Sequence, residues 1–187
     1  MGSWEDHLEN DIKHILIDEE TITARVTAMA KEISDDYRDL DLNELVVIGI
    51  LRGAVIFMSD LIRQLDLPVT IDFMAISSYT KGTHTSGTVR IIKDIAESIT
   101  DKHVMIVEDI VDTGLTLECL CDMLIARKPK SLKICSLLDK PSRRLVKLDA
   151  DYIGFEIPNE FVVGYGLDFE GHFRHIPYVG VLKNRDK

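Results

Sequence analysis

Three apolar runs, ELVVIGIL at 44–51, HVMIVEDI at 103–110 and SLKICSLLD at 131–139, constrain the fold of this chain more than any other feature. Their apolar stretches do not alternate with polar residues, so strands made from them must be covered on both faces. Helix-like segments follow the first two, AVIFMSDLIRQL at 54–65 and TLECLCDMLIARK at 116–128. A further helix is predicted over about 19–37, where Ile22, Val26, Met29 and Ile33 recur at helical spacing and acids open the segment as the helix dipole prefers. Strand alternating with helix predicts an α/β fold, a mainly parallel central sheet with helices on both faces. VTIDFMAISSY at 69–79 adds a strand and VRIIKDI a return strand. Between them the polar segment TKGTHTSGT, 80–88, has nothing to bury and reads as a mobile loop.

From Asp151 onward the chain changes character, with short strand-like pieces, Gly and Pro breaks and most of the aromatics. This stretch reads as a small appended lobe rather than a second domain. A length of 187 residues, 45% of them hydrophobic, suffices for one core and is short for two. The expectation is a single domain over 1–187, its core at about 20–150.

The formal net charge of -10 sets 22 basic against 32 acidic side chains, which argues against nucleic acid or an anionic membrane as partner. No run of about 18 apolar residues is present to span a bilayer. The N-terminal MGSWEDHLENDIKH carries acids where a signal peptide needs a basic start, so a cytoplasmic protein is expected. Three cysteines, Cys119, Cys121 and Cys135, are an odd, sparse set that fits a reducing compartment and buried thiols. His172 and His175 lack a third ligand, and no zinc is expected.

Function concentrates where the run at 103–110 ends, in IVEDIVDTGLT. Ligands of open parallel sheets sit beyond the carboxyl ends of strands, which places Glu108, Asp109 and Asp112 at such an end. Asp112-Thr113-Gly114-Leu115-Thr116 then supplies a tight turn, hydroxyls and a helix start, the parts of an anion cradle. Two readings stand at this point. One is a phosphorylated, hydroxyl-rich ligand carried with Mg2+; the other is an ordinary helix with Asp112 or Thr113 as its N-cap. A phosphoacceptor receiver domain would carry its acidic pair after the first strand, whereas this cluster follows about the fourth. A P-loop is excluded because no GxxxxGK[ST] occurs.

The same residues resemble the phosphoribosyl-pyrophosphate signature of type I phosphoribosyltransferases, and the resemblance extends over nearly the whole chain. ILRGA is similar to that family's pyrophosphate loop, ISSYTKGTHTSG to its flexible loop, LLDKPSRR to the segment with its purine-contacting lysine. NEFVVGYGLDF and FRHIPYVGVL are similar to its base-binding hood, to which N-terminal residues contribute. The set points to the purine-salvage branch that uses 6-oxopurines such as hypoxanthine and guanine. The implied activity is transfer of the 5-phosphoribosyl group from phosphoribosyl pyrophosphate to the purine, with Mg2+ as cofactor and a homodimer or homotetramer as the expected assembly. The apolar helix at 54–65 offers a face for a partner subunit. A regulatory protein of the same fold that senses phosphoribosyl pyrophosphate, or an enzyme preferring guanine or xanthine, is the alternative.

The resemblance also implies roles. Glu108 and Asp109 would hold the ribose hydroxyls and, directly or through water, Mg2+. Asp112 would be the general base, and Thr113, Gly114, Leu115 and Thr116 would bind the 5′-phosphate. Leu115 brings no charge, so the backbone must suffice there. Lys140 would donate to the purine 6-oxo group, Phe161 would stack on the base and Val162 would present backbone groups to its edge. Asp168 would ligate a second Mg2+, and Arg174 would pair with pyrophosphate. Leu51, Arg52 and Gly53 would bind pyrophosphate through backbone, with a cis Leu51–Arg52 peptide, while Ser78 and Tyr79 begin the closing loop.

Overall fold

The computed structural model describes residues 11–38, 40, 43–78 and 89–183. In chain order the elements are β1 (Ile12–Ile17), α1 (Glu19–Arg38), β2 (Leu45–Leu51), α2 (Val55–Ile62), β3 (Val69–Ser78), β4 (Val89–Lys93) and β5 (His103–Val111). They continue with α3 (Leu115–Ile125), β6 (Ser131–Asp139), a single 3-10 turn (Pro141–Arg143), β7 (Tyr152–Glu156), β8 (Val162–Val163) and β9 (Val179–Leu182). No helix among the described residues is long and apolar enough to cross a membrane.

The main sheet has the order β4-β3-β2-β5-β6-β7, and every neighbouring pair is parallel except β3 with β4. The apolar runs fix the central positions. All of β2 but its last residue is buried, as are the first five residues of β5 and the last six of β6. Helices α1 and α2 cover one face, where Val26, Met29, Ile33, Phe57 and Leu61 join Val47, Met105 and Leu137 in one cluster. Helix α3 covers the other, with Leu117, Leu120 and Leu124 against Ile48, Val104 and Ile106. Alternate residues of β2 and β5 go to opposite clusters, as the two-residue period of a strand requires.

Helix α2 stops at Ile62, short of the 54–65 expected from its apolar run. The chain leaves it in a tighter turn, Gln64 N–H donating to Leu61 O at 3.0 Å. The boundary of the C-terminal lobe also shifts. Tyr152–Glu156 belongs to the main sheet, pairing parallel with β6 from Cys135↔Tyr152 to Asp139↔Glu156, so the change of composition at Asp151 does not mark a change of layer. The strand is tied down from below by Arg25 of α1, whose Nε and Nη2 donate to Gly154 O at 3.0 Å and Ile153 O at 2.5 Å. Arg25→Met removes both bonds while keeping the apolar stem. It is expected to lower unfolding free energy by about 1–3 kcal/mol, read from the urea midpoint at unchanged slope.

A second, three-stranded sheet of order β1-β9-β8 joins the two ends of the described chain, all antiparallel. It carries its own small cluster of Ile12, Val163, Phe173, Ile176 and Leu182. Of the thiols, Cys121 and Cys135 are buried and Cys119 is partly exposed. Burial pushes the Cys121 thiol up to about 12.

Candidate active site

The strand order places β2 between β3 and β5, so the chain runs from β2 out to β3 and β4 on one side and crosses back to form β5 on the other. A crevice opens at such a switch point, beyond the carboxyl ends of β2 and β5. The chain at the end of β2 is Leu51-Arg52-Gly53, with a cis peptide between Leu51 and Arg52. Arg52 is exposed and Gly53 buried. Across the crevice, Asp109 of β5 lies directly over Gly53. A Cβ on Gly53 would stand 1.5 Å from Asp109 Oδ2, so only glycine admits the carboxylate there.

Glu108 and Asp109 form an acid pair that burial makes costly to ionise. Burial first, and then the neighbouring Asp109, raises the Glu108 carboxyl well above its usual range. Its Oε2 is buried and has no hydrogen-bond partner among the described residues. Asp109 is pushed up to about 6, again by burial, while the Ile110 N–H on Oδ1 at 2.8 Å and the charge of Arg174 pull it back. Buried carboxylates in this state are stabilised by cations or hydroxyl donors, and an orphaned acceptor oxygen marks where one would bind.

The following turn is built by Gly114, which caps α3 in the left-handed region at φ 82°, where side chains are strained. Neither Asp112 nor Thr113 is the N-cap, and no side chain caps the helix. The N-terminal amides of a helix have no intrahelical partners, so Thr113, Gly114, Leu115 and Thr116 present the donor-rich start of α3. The segment after β6 braces this turn. Leu145 N–H donates to Thr113 O at 3.0 Å, and Arg144 donates through Nη1 to Asp112 O at 2.9 Å and through Nη2 to Asp139. Arg143 Nε donates to Asp112 Oδ1 at 2.8 Å, with both side chains nearly half exposed.

Lys140 begins this brace and is buried, its backbone N–H on Val111 O at 2.9 Å. Its Nζ donates to Glu160 O at 2.7 Å, next to Phe161. Burial lowers its ammonium pKa, and Asp112 opposes that shift. Phe161 is 44% exposed, far more than its neighbours Val162 and Val163, and its ring meets Phe169 edge-on at 5.8 Å. The exposed ring of Phe161 offers a flat apolar face one residue from the carbonyl that holds Lys140. Val162 sits in β8, paired with Val181.

On the opposite side, Arg174 is held between Asp168 Oδ1 at 2.5 Å and Gly166 O at 2.6 Å. Gly166 in turn packs against the Leu51–Gly53 loop, since a Cβ there would lie 2.1 Å from Gly53 O. Asp168, Arg174, Gly53 and Asp109 thus gather from three separate chain segments, while Asp112, Lys140 and Phe161 gather on the other flank. Ser78 ends β3, whereas Tyr79 and the 80–88 loop lie outside the described residues.

Arg143, Arg144, Asp139 and Gly166 take part in this site without having been singled out in the sequence. The paired arginines after Lys140-Pro141 and the glycines flanking Tyr165 were the only signals available.

Residues 15–170 match the model of the phosphoribosyl transferase domain family. The chain belongs to that family. The hypoxanthine phosphoribosyltransferase of Haemophilus influenzae is 50% identical over 166 residues, 89% of this chain and 93% of that protein. The hypoxanthine-guanine phosphoribosyltransferase of Mycobacterium avium is 48% identical over 178 residues, 94% of this chain and 88% of its own. Among solved structures, a hypoxanthine phosphoribosyltransferase from Staphylococcus aureus superposes with a TM-score of 0.91 at 45% identity, covering 97% of both chains. The phosphoribosyl transferase fold therefore extends beyond the matched segment, through the small sheet and its last strand.

Proposed function

We infer that this chain is a purine salvage enzyme, a hypoxanthine phosphoribosyltransferase that moves the 5-phosphoribosyl group from phosphoribosyl pyrophosphate to hypoxanthine, and to guanine, giving IMP or GMP and pyrophosphate. One observation carries this reading. The single strand end of β5 separates two prepared flanks, an acid pair beside Gly53 and Arg174, and an acid beside Lys140 and the exposed Phe161. A ribose held between them faces pyrophosphate on one side and a purine on the other.

In the reaction the C1′–oxygen bond to pyrophosphate breaks as a purine ring nitrogen bonds to C1′, and the imidazole proton passes to Asp112. Glu108 and Asp109 accept the ribose hydroxyls, and their charge favours the cation-like ring of the transition state. Among the described residues no three His, Cys, Asp or Glu side chains gather tightly enough to hold a metal ion by themselves. Two acids with an orphaned Oε2 nevertheless suit Mg2+, which keeps water and substrate oxygens as its other ligands, and Asp168 would ligate a second Mg2+ on the pyrophosphate side. Bound there, Mg2+ supplies charge neutralisation for the leaving pyrophosphate. Arg174 pairs with the same group, and the start of α3 binds the 5′-phosphate. Lys140 exchanges its carbonyl partner, Glu160 O, for the 6-oxo oxygen of the purine. Adenine presents an amino donor there and leaves the lysine unpaired.

The test is a Mg2+-dependent assay of phosphoribosyl pyrophosphate with hypoxanthine, guanine, xanthine and adenine. Turnover of hypoxanthine and none of adenine is expected, and no turnover of any 6-oxopurine would overturn the reading. Lys140→Met should reduce kcat/KM for hypoxanthine by about 10- to 100-fold while the Kd of phosphoribosyl pyrophosphate stays within about threefold. Unchanged hypoxanthine kinetics would remove Lys140 from the base site.

A sensor of phosphoribosyl pyrophosphate acting on nucleic acid is disfavoured by the net charge of -10. We further propose a cytoplasmic homodimer or homotetramer. The apolar helix α2, on which Ile56 is 37% exposed, is the element proposed for the subunit contact, which sedimentation velocity would read as a mass above that of the 21.2 kDa chain.

A further inference from the structure

Tyr165 occupies a position that a tyrosine does not choose on local grounds. It has φ 48°, between Gly164 at φ 98° and Gly166 at φ 102°, three successive residues in left-handed backbone. A bulky side chain in that region is strained and persists only where surrounding contacts hold it. Its N–H donates to Ile176 O at 2.8 Å, its ring is buried, and its hydroxyl donates to Asp60 Oδ2 at 2.6 Å. Asp60 lies on α2, the helix that begins just after Gly53, and its other oxygen accepts from Arg63 at 2.8 Å. The phenol pKa is raised by burial and by the hydrogen bond to Asp60, so the hydroxyl remains a donor across the working pH range.

The neighbours of Tyr165 give this bond its reach. Gly166 donates to Arg174 O at 2.9 Å and accepts from the Arg174 side chain, whose other arm holds Asp168. Gly166 also abuts Gly53 O. Moving Tyr165 relative to α2 therefore moves Arg174 and Asp168 relative to the Leu51–Gly53 loop. Among the described residues no hydrogen bond or ion pair joins Tyr165 or Asp60 to Lys140, Phe161 or Asp112.

We propose that the Tyr165–Asp60 hydrogen bond is a positioning device for the pyrophosphate flank, fixing Arg174 and Asp168 of the hood loop against the loop that ends β2. Neither residue touches substrate. The inference rests on the function proposed above, which assigns that flank to pyrophosphate.

Tyr165→Phe keeps the ring and the backbone and deletes only the bond. With Mg2+ present, it should raise KM for phosphoribosyl pyrophosphate, and for pyrophosphate in the reverse direction, by about 5- to 20-fold. KM for hypoxanthine should stay within about twofold. Asp60→Ala should match it, the double variant should be no worse than either, and Asp60→Asn, which keeps an acceptor, should restore most of the loss. An unmoved phosphoribosyl pyrophosphate KM in Tyr165→Phe, or equal rises for both substrates, would overturn the proposal. The Kd of phosphoribosyl pyrophosphate by calorimetry, measured on the same variants, reads the same contrast without turnover. Failure of the wild type to turn over hypoxanthine would count against the function, while an unmoved Kd in Tyr165→Phe would count against the positioning role.

Discussion

Asp112→Asn is expected to lower kcat by about 10^2- to 10^4-fold while leaving the affinity for phosphoribosyl pyrophosphate within about threefold. Asparagine keeps the shape of the side chain and one acceptor oxygen, so the Arg143 contact and the turn it faces survive. What it cannot do is take a proton from the purine. The backbone anchors of the turn, Leu145 N–H on Thr113 O and Arg144 on Asp112 O, do not involve the carboxylate at all. Phosphate binding and base catalysis should therefore separate cleanly. Pre-steady-state turnover alongside calorimetric Kd is the measurement, and a parallel loss of both would make Asp112 a binding residue instead.

The second large effect is predicted at a position with no side chain. Gly53→Ala places a methyl carbon 1.5 Å from Asp109 Oδ2 and 2.4 Å from Asp109 Cγ. One of the two must move, and Asp109 is held from behind by the Ile110 amide. Displacement of about 1 Å in a positioning group costs about 10^2-fold in kcat/KM, and overpacking costs about 1–3 kcal/mol of stability. Both losses are expected in Gly53→Ala, the first in steady-state assays and the second in thermal unfolding. A variant within threefold of wild-type kcat/KM would show that Asp109 does not need its present place over the loop.

The sheet was legible because burial on both faces removes polar residues from a strand, and that absence is visible in VVIGIL and VMIV without a partner. Helix α1 was legible from its period, and its observed span, Glu19–Arg38, differs from the expected one by a single residue. The candidate acids stood out because Glu108, Asp109 and Asp112 fall within five positions of one another at the end of an apolar run. What failed to appear was whatever depends on segments distant in sequence. The pairing of Tyr152–Glu156 with β6 could not be read from a strand whose composition matches the lobe that follows. Nor could the closure of Arg143 and Arg144 onto Asp112, about thirty positions away, since surface arginines after a proline turn have no pattern of their own. Lys140 was placed by resemblance, and only the fold brings it beside Glu160 O.

The small sheet has a consequence for the order of assembly. Its middle strand, β9, is Val179–Leu182, and β1, at Ile12–Ile17, has no other strand partner among the described residues. On a ribosome the first strand emerges long before the one that receives it. The wall that carries Phe161 and Val162 is thus expected to zip up last, after the main sheet has formed, because contacts so far apart along the chain are the slowest to close. A nascent chain halted short of β9 would hold its acid pair and glycine turn in a folded sheet, yet lack the finished wall beside Lys140.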